Sequence, residues 1–199
     1  MIKKIETIKF PTKFGEFINS VYEIDSEKEP YTKFAFAIYT KETLKQSVPF
    51  VRIHSSCIFS EVLGSLVCDC RPQLEKTLKM FNKQGGILIY IDQEGRSHGL
   101  FNKVKELKLQ EKGLDTIQAS IKLGLEVDSR IYESAVAILK DLKKTEIKIV
   151  TNNPAKIKAI KELGITVKKR ISVEIICNGY NTKYLKTKKD EMGHMLVKI

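Results

Sequence analysis

Three of the four cysteines lie close together in the sequence, as Cys57, Cys68 and Cys70. Zinc prefers thiolate ligands, and three protein ligands leave a fourth position for water. Cys68 and Cys70 flank one residue, so in an extended segment their side chains would point the same way. The spacing is equally compatible with three buried thiols that pack as small apolar groups. Cys177 lies in a distant apolar run and is predicted to be a core residue.

The basic residues are unevenly divided between lysine and arginine. Of 35 basic residues only five are arginines: Arg52, Arg71, Arg96, Arg130 and Arg170. Arginine offers a planar, bidentate donor, which suits a phosphate or a purine edge. The formal net charge of +11 also fits a polyanionic partner, either a nucleotide or a nucleic acid.

Polar residues that follow two predicted strands suggest what the arginines would bind. After one strand, Glu94 can accept hydrogen bonds from the N–H groups of a purine edge. After another, Asn153 and Pro154 begin a helix whose amides, with Lys156, form an anion site. Zinc with an open position makes hydroxide available at neutral pH. Together these features predict a zinc hydrolase that acts on a purine nucleotide.

The elements that must position these residues are strands alternating with helices after residue 50. Strands are predicted at 15–20, 34–39, 48–53, 86–91, 147–150 and 166–177. Helices are predicted at 72–84, 100–111, 115–123, 129–142 and 181–193, and a further helix is predicted to begin at residue 154. Alternation indicates an α/β fold, and the stranded N-terminal part indicates a mixed sheet. Without a linker or a repeat, we expect one layered α/β/α domain spanning residues 1–199.

Composition argues against several other classes of protein. Hydrophobic residues make up 42% and charged residues 30%, which is ordinary for a globular protein. No apolar run is long enough to span a bilayer, and the N-terminus lacks the apolar region of a signal peptide, so we expect a cytoplasmic protein without a membrane partner. A basic, zinc-stabilised nucleic-acid binder is an alternative, but no aromatic cluster or recognition module accompanies the lysines, so we expect no nucleic-acid partner.

The chain resembles the GTP cyclohydrolase II family of riboflavin biosynthesis from about residue 10 to residue 196. The motifs that carry the resemblance are, in order, RIHSSC, CDCRPQLE, QEGRSHGLFNKV, LDTIQAS, VDSR, VTNNPAKI and MGHML. The resemblance implies a hydrolase that opens the imidazole ring of GTP, releases formate and diphosphate, and leaves a diaminopyrimidinone ribosyl phosphate. It also implies one zinc ion (Zn2+) per chain, magnesium (Mg2+) with the diphosphate, and a homodimer.

The same resemblance implies roles for individual residues. Cys57, Cys68 and Cys70 would ligate the zinc, Asp128 would accept a proton, and Arg130 would act at the α-phosphate. Because arginine stays protonated, we expect Arg130 to clamp the phosphate rather than attack it. The residues implied to bind the nucleotide are Arg52, Ile53, His54, Ser55, Ser56, Gln73, Glu94, Gly95, Arg96, Thr116, Thr151 and Lys156.

The chain departs from the family pattern around the cysteines. Ser56 stands where the family usually has glutamate, and residues 59–61 replace a Thr-Gly-Asp sequence. A tyrosine implicated in ring opening falls at Leu107, which cannot donate a proton. An alternative is therefore a paralogue that retains the formyl group or takes another purine nucleotide. His98, at a usually apolar position, is either a substitute acid or a loop residue without a role.

Overall fold

The computed structural model describes residues 1–199. The strands are β1 (Ile2–Thr12), β2 (Gly15–Ile24), β3 (Phe34–Tyr39), β4 (Phe50–Ser55), β5 (Ile87–Ile91), β6 (Glu146–Val150) and β7 (Thr166–Ile171). The helices are α1 (Ile58–Glu61), α2 (Cys70–Gln84), α3 (Gly99–Glu111), α4 (Thr116–Lys122), α5 (Glu133–Asp141), α6 (Pro154–Glu162) and α7 (Thr182–Asp190), with a 3-10 turn at Lys41–Lys45. None of the helices is both long and apolar enough to cross a membrane.

All seven strands form one sheet in the order β1-β2-β3-β5-β4-β6-β7. The pairs β1–β2, β2–β3 and β3–β5 are antiparallel. The pairs β5–β4, β4–β6 and β6–β7 are parallel. The antiparallel strands β1 and β2 follow each other through a tight turn, and the parallel strands are joined through helices, as parallel pairing requires. The predicted α/β fold with a mixed sheet is confirmed.

Apolar side chains cover both faces of this sheet. Along β5, Ile87 and Ile89 face a core that contains residues of α5 and α6, whereas Leu88 faces a second core that contains Leu78 and Phe81 of α2. This division follows from the alternation of side chains along a strand. Helices therefore lie on both sides of the sheet, which gives the three layers.

The parallel arrangement brings three loops to one edge of the sheet. Strand β4 lies between β5 and β6, so the carboxyl ends of all three strands point the same way. The loops that follow them begin at Ser56, Asp92 and Thr151. Ligands of open α/β sheets bind at this edge, outside the carboxyl ends of the strands.

Several predicted boundaries differ from the structure, and two elements are at least four residues shorter at one end than predicted. The helix predicted at 129–142 begins at Glu133, because the Arg130 amide and side chain bind Asp128 and hold the preceding residues in a loop. The strand predicted at 166–177 ends at Ile171, because the next residues turn away, with the Val173 amide donating to the Asn152 side chain.

The sequence pattern also gave no prediction for β1. Most of its residues are exposed, because it is the edge strand and is rich in lysine. Its alternation of apolar and polar residues is interrupted, for example by the two successive lysines at 3 and 4, so its bounds could not be predicted.

Candidate active site

The three clustered cysteines meet beyond the end of β4. Cys57 follows β4, Cys68 lies in a bend, and Cys70 is the first residue of α2. The premise that Cys68 and Cys70 share an extended segment is wrong, since Asp69 between them has φ −103° and ψ 14°. The turn from α1 to α2 brings the thiols together instead, and their Sγ atoms lie within 4.8 Å of one another.

The geometry of this cluster fits a zinc ion. A tetrahedral ion with Zn–S bonds of about 2.3 Å holds its sulfurs about 3.8 Å apart. The Sγ atoms of Cys57 and Cys68 are 3.7 Å apart. Hydrogen bonds from Cys57 and Cys70 lower the pKa of the Cys68 thiol, whereas those with Cys57 and Cys68 raise the pKa of Cys70. These residues could therefore hold a metal.

Cys177 does not belong to this cluster. It is half-buried in the segment after β7, so it is not the core residue that its apolar surroundings in the sequence predict.

Strand β4 divides the predicted nucleotide-binding segment between the two faces of the sheet. Ile53 packs its side chain into the larger core, and only its backbone reaches the site. Arg52 and His54 point to the opposite face. There the Arg52 guanidinium donates to His54 Nδ1 at 3.1 Å, to the Val150 carbonyl at 3.3 Å and to the Gln73 side chain.

A buried carboxylate fixes the orientation of His54. Because Nδ1 of His54 accepts from Arg52, its proton lies on Nε2, which donates to Glu61 at 2.7 Å. The Tyr90 hydroxyl donates to the other oxygen of Glu61, also at 2.7 Å. Burial lowers the pKa of His54, so the imidazole is neutral. Glu61, one of the departures from the family pattern, thus joins α1 to β4 and β5.

The loop after β5 places Glu94 beside the cysteines. Its carboxylate accepts from the Ile58 amide at 2.7 Å and from Lys103. Lys103 Nζ also lies 3.2 Å from Cys57 Sγ. Burial opposes the charge on Lys103, but Cys57 and Glu94 raise its pKa above the ordinary value. Sequence reasoning missed Lys103, because a lysine on a helix resembles any solvated lysine.

Arg96 and Thr116, both predicted to bind the nucleotide, bind each other. Arg96 has φ 58°, which turns the loop back towards α3 and α4. Its guanidinium donates to Thr116 Oγ1 at 2.8 Å, to the Val127 carbonyl at 2.8 Å and to Glu106 at 3.2 Å. Arg96 therefore clamps three segments together, with a buried Glu106 as its counter-ion.

Asp128 and Arg130 form a tight pair within one loop. The Arg130 guanidinium donates to both carboxylate oxygens of Asp128, and the distance from Nε to Oδ1 is 2.8 Å. Burial would raise the pKa of Asp128, but the bonds and charge of Arg130 lower it below its ordinary value. Burial likewise opposes the charge on Arg130, while Tyr132 and Asp128 raise its pKa. Arg130 stays a cation, which agrees with the expected clamp.

The loop after β6 leads to a buried lysine, Lys156. Asn153 caps α6 by accepting from the Ala155 amide at 2.9 Å, as predicted, and Thr151 Oγ1 accepts from the Asn153 amide at 3.1 Å. Lys156 Nζ donates only to the Ile53 carbonyl, at 2.7 Å, and has no carboxylate partner. Burial, followed by Arg130 and Arg52, lowers its pKa well below the ordinary value.

One cavity collects nearly all of these groups. The three clustered cysteines, every predicted nucleotide-binding residue and Arg130 line it, with Ile53 contributing its backbone. Asp128 is not on the wall, and Leu107 is. His98 is not on the wall either, since its Nε2 contacts Ser129 Oγ at 2.8 Å outside the cavity.

Other residues on the wall were not predicted from the sequence. They include Asp69, Lys103, Glu106, Tyr184, Lys188, Met192 and His194. Four of them, Asp69, Lys103, Met192 and His194, had a signal, since each lies in one of the motifs that carry the family resemblance. The helix predicted at 181–193 did not suggest contact with the site, because its lysines resemble a solvated surface.

Comparisons with known proteins identify the family of the chain. The model of the GTP cyclohydrolase II family matches residues 3–172. The GTP cyclohydrolase-2 of Campylobacter fetus is 44% identical over 195 residues, covering 98% of this chain and 96% of that protein. The GTP cyclohydrolase-2 of Campylobacter hominis is 45% identical over 188 residues, covering 94% and 92%. The riboflavin biosynthesis protein RibBA of Cytophaga hutchinsonii is 38% identical over 200 residues, covering 100% of this chain and 48% of that protein. The chain belongs to the GTP cyclohydrolase II family.

Proposed function

We propose that this chain is a metal-dependent hydrolase that opens the imidazole ring of GTP and releases formate and diphosphate, in riboflavin biosynthesis. One observation carries the proposal: the three Sγ atoms of the metal cluster and the buried Lys156 lie on the wall of the same cavity. Thiols that could hold a metal, together with basic side chains in one cavity, suit a nucleotide whose purine reacts at the metal while its phosphates bind the basic groups. The names of the relatives with 44% and 45% identity support the choice of GTP.

Several basic groups of the cavity bind the phosphates. Zinc bound by the three thiolates would supply a Lewis acid and an activated water at neutral pH. Arg52 and Lys156 have no carboxylate partner, so their charges are free to offset those of the phosphates. Arg130 clamps the α-phosphate, and Asp128 holds the Arg130 guanidinium in one orientation. Asp128 is the proposed proton acceptor.

Glu94 holds the purine edge. Its oxygens already accept from the Ile58 amide and from Lys103, which fixes the carboxylate beside the metal cluster. A carboxylate has about four lone-pair sites, so N–H groups of the base can still bind to it. Lys103 holds the Glu94 carboxylate in position.

The further parts of the proposal concern the assembly. We propose one zinc ion per chain, with magnesium accompanying the leaving diphosphate. The protein acts in the cytoplasm as a homodimer, without a nucleic-acid partner. Residues 1–199 form one domain, and the single seven-stranded sheet supports this view.

A product assay tests the function. Zinc-loaded protein is incubated with GTP, and formate, diphosphate and the absorbance spectrum are followed, with and without a chelator. We expect equal amounts of formate and diphosphate, and loss of both after chelation. Unchanged GTP after a long incubation with fully zinc-loaded protein would refute the proposal.

A second candidate is favoured by Leu107, which lines the cavity where the family places a tyrosine. Without that phenol the reaction would stop at a formylated pyrimidine. Mass spectrometry of the product separates the two functions, because the formyl group adds its mass. If the formyl group is retained, Leu107→Tyr should increase formate release, whereas Val104→Tyr on the exposed side of α3 should not. Full formate release by the unmodified chain would exclude this candidate.

A further inference from the structure

The C-terminal segment, residues 173–199, reaches into the cavity although it lies beyond the region that the family model matches, residues 3–172. Tyr184 and Lys188 of α7, together with His194 after the helix, lie on the cavity wall. Neither the metal cluster nor the predicted nucleotide-binding residues include any residue of this segment.

The path of this segment is fixed by contacts with the rest of the chain. Leu185 of α7 is 1% exposed, so the helix is anchored in apolar surroundings. The Met195 amide donates to the Asn152 carbonyl at 2.9 Å, next to the start of α6. The Val197 amide donates to Glu174 at 2.6 Å. These contacts hold the residues between them against the cavity.

Lys188 lies beside the metal cluster. Its Nζ is 3.3 Å from an oxygen of Asp69, the residue between the ligands Cys68 and Cys70. The side chains of Lys188 and Asp69 are only 16% and 3% exposed. The ring of Tyr184 lies beneath the ammonium group, with its centroid 4.3 Å from Nζ. The ammonium group is therefore held at the wall and is not a mobile surface charge.

Basic side chains from three different elements act on His194. They are Lys188 of α7, Arg130 of the loop before α5, and Lys156 of α6, and the carboxylate of Asp69 opposes them. Burial, followed by these basic groups, lowers the pKa of His194 to about 3. On the cavity wall as a whole, six lysine and arginine side chains accompany three carboxylates, which favours a bound anion.

We propose that Lys188 and His194 bind the phosphates of the substrate, so that the C-terminal segment completes the polyphosphate site. This inference rests on the proposed function for the identity of the nucleotide. Lys188 donates its remaining N–H groups while it stays beside Asp69, and the neutral His194 donates its single N–H. These two donors bind the phosphates together with Lys156 and with Arg130, whose charge is partly offset by Asp128.

The test uses the zinc-loaded full-length chain and two variants, Lys188→Gln and His194→Asn. Binding of inorganic diphosphate is measured by calorimetry, KM and kcat for GTP are measured separately, and the zinc content of each variant is determined. We expect each variant to weaken diphosphate binding and to raise KM about tenfold or more, because each loses a hydrogen bond to a charged group. The matched control Lys186→Gln, on the exposed side of the same helix, should behave as the unmodified chain.

Several outcomes would overturn the inference. Diphosphate binding and KM that stay unchanged in both variants, while the unmodified chain converts GTP, would refute the inference and leave the proposed function intact. If Lys188→Gln loses zinc in proportion to its loss of binding, and His194→Asn binds diphosphate normally, the segment only positions Asp69 and the metal ligands. Failure of the unmodified chain to convert GTP would instead refute the proposed function.

Discussion

The buried ion pair between Glu106 and Arg96 allows a quantitative test of how the loop after β5 is held. Glu106 accepts from Arg96 at 3.2 Å and from Ser120 Oγ at 2.6 Å. The side chains of Arg96 and Glu106 are 16% and 4% exposed. Replacing Glu106 by alanine therefore leaves a buried guanidinium without its counter-ion, whereas Ser120 Oγ keeps the Thr116 carbonyl as an acceptor at 3.0 Å.

Breaking a buried ion pair by removing one partner costs about 3 to 5 kcal/mol of the free energy of unfolding. Arg96 keeps its bonds to the Val127 carbonyl and to Thr116, so we expect about 3 kcal/mol, the lower end of that range. With a urea m-value of roughly 2 to 3 kcal/mol/M, the unfolding midpoint should fall by about 1 to 1.5 M.

The assay is urea unfolding at a fixed zinc concentration, so that metal binding contributes equally to every sample. Glu111→Ala is the matched control, because Glu111 lies on the same helix and also forms an ion pair, with Lys108 at 2.7 Å, but in solvent. We expect little change in that control, since exposed ion pairs contribute little to stability. The double change Arg96→Met with Glu106→Leu should recover part of the loss, because it removes both buried charges.

A Glu106→Ala midpoint no lower than that of Glu111→Ala would refute this reasoning. It would mean that Arg96 reaches water or another acceptor when Glu106 is removed. The loop after β5 would then be held by the backbone alone, and Arg96 would be free to bind the nucleotide directly.

Three further predictions follow from the site. Cys68→Ser should lower the zinc content, measured by atomic emission, well below one ion per chain and abolish GTP conversion, whereas Cys177→Ser should change neither. The pKa of Asp128 is lowered in the folded state, so its contribution to stability is fully present above the unfolded value near about 3.9 and is lost as pH falls through the folded pKa. The stability difference between the unmodified chain and Asp128→Asn should therefore be constant above about pH 5 and shrink below about pH 4, as measured by urea unfolding. Tyr90→Phe should lower the free energy of unfolding by roughly 1.5 to 3 kcal/mol, because the buried Glu61 carboxylate loses a donor, and an unchanged urea midpoint would contradict that bond.

The sequence by itself determined the fold class and the identity of most residues around the cavity. Strand and helix periods are local, so the alternation after residue 50 was readable without the structure. The cysteine cluster, Glu94 and Lys156 were also recognisable, because their residue types are matched to metal, purine and phosphate. The seven motifs added the family, which the comparisons confirm.

The tertiary structure alone decided which of these residues are free to bind a ligand. Arg96 and Arg130 look alike in the sequence and both lie on the cavity wall, yet the Arg96 guanidinium joins three segments through Val127, Glu106 and Thr116, whereas that of Arg130 is paired with Asp128 alone. Likewise, only the packing of α7 shows that Lys188 differs from the other lysines of its helix. Contacts between residues far apart in the chain set burial and charge pairing, and no local pattern of residue types encodes them.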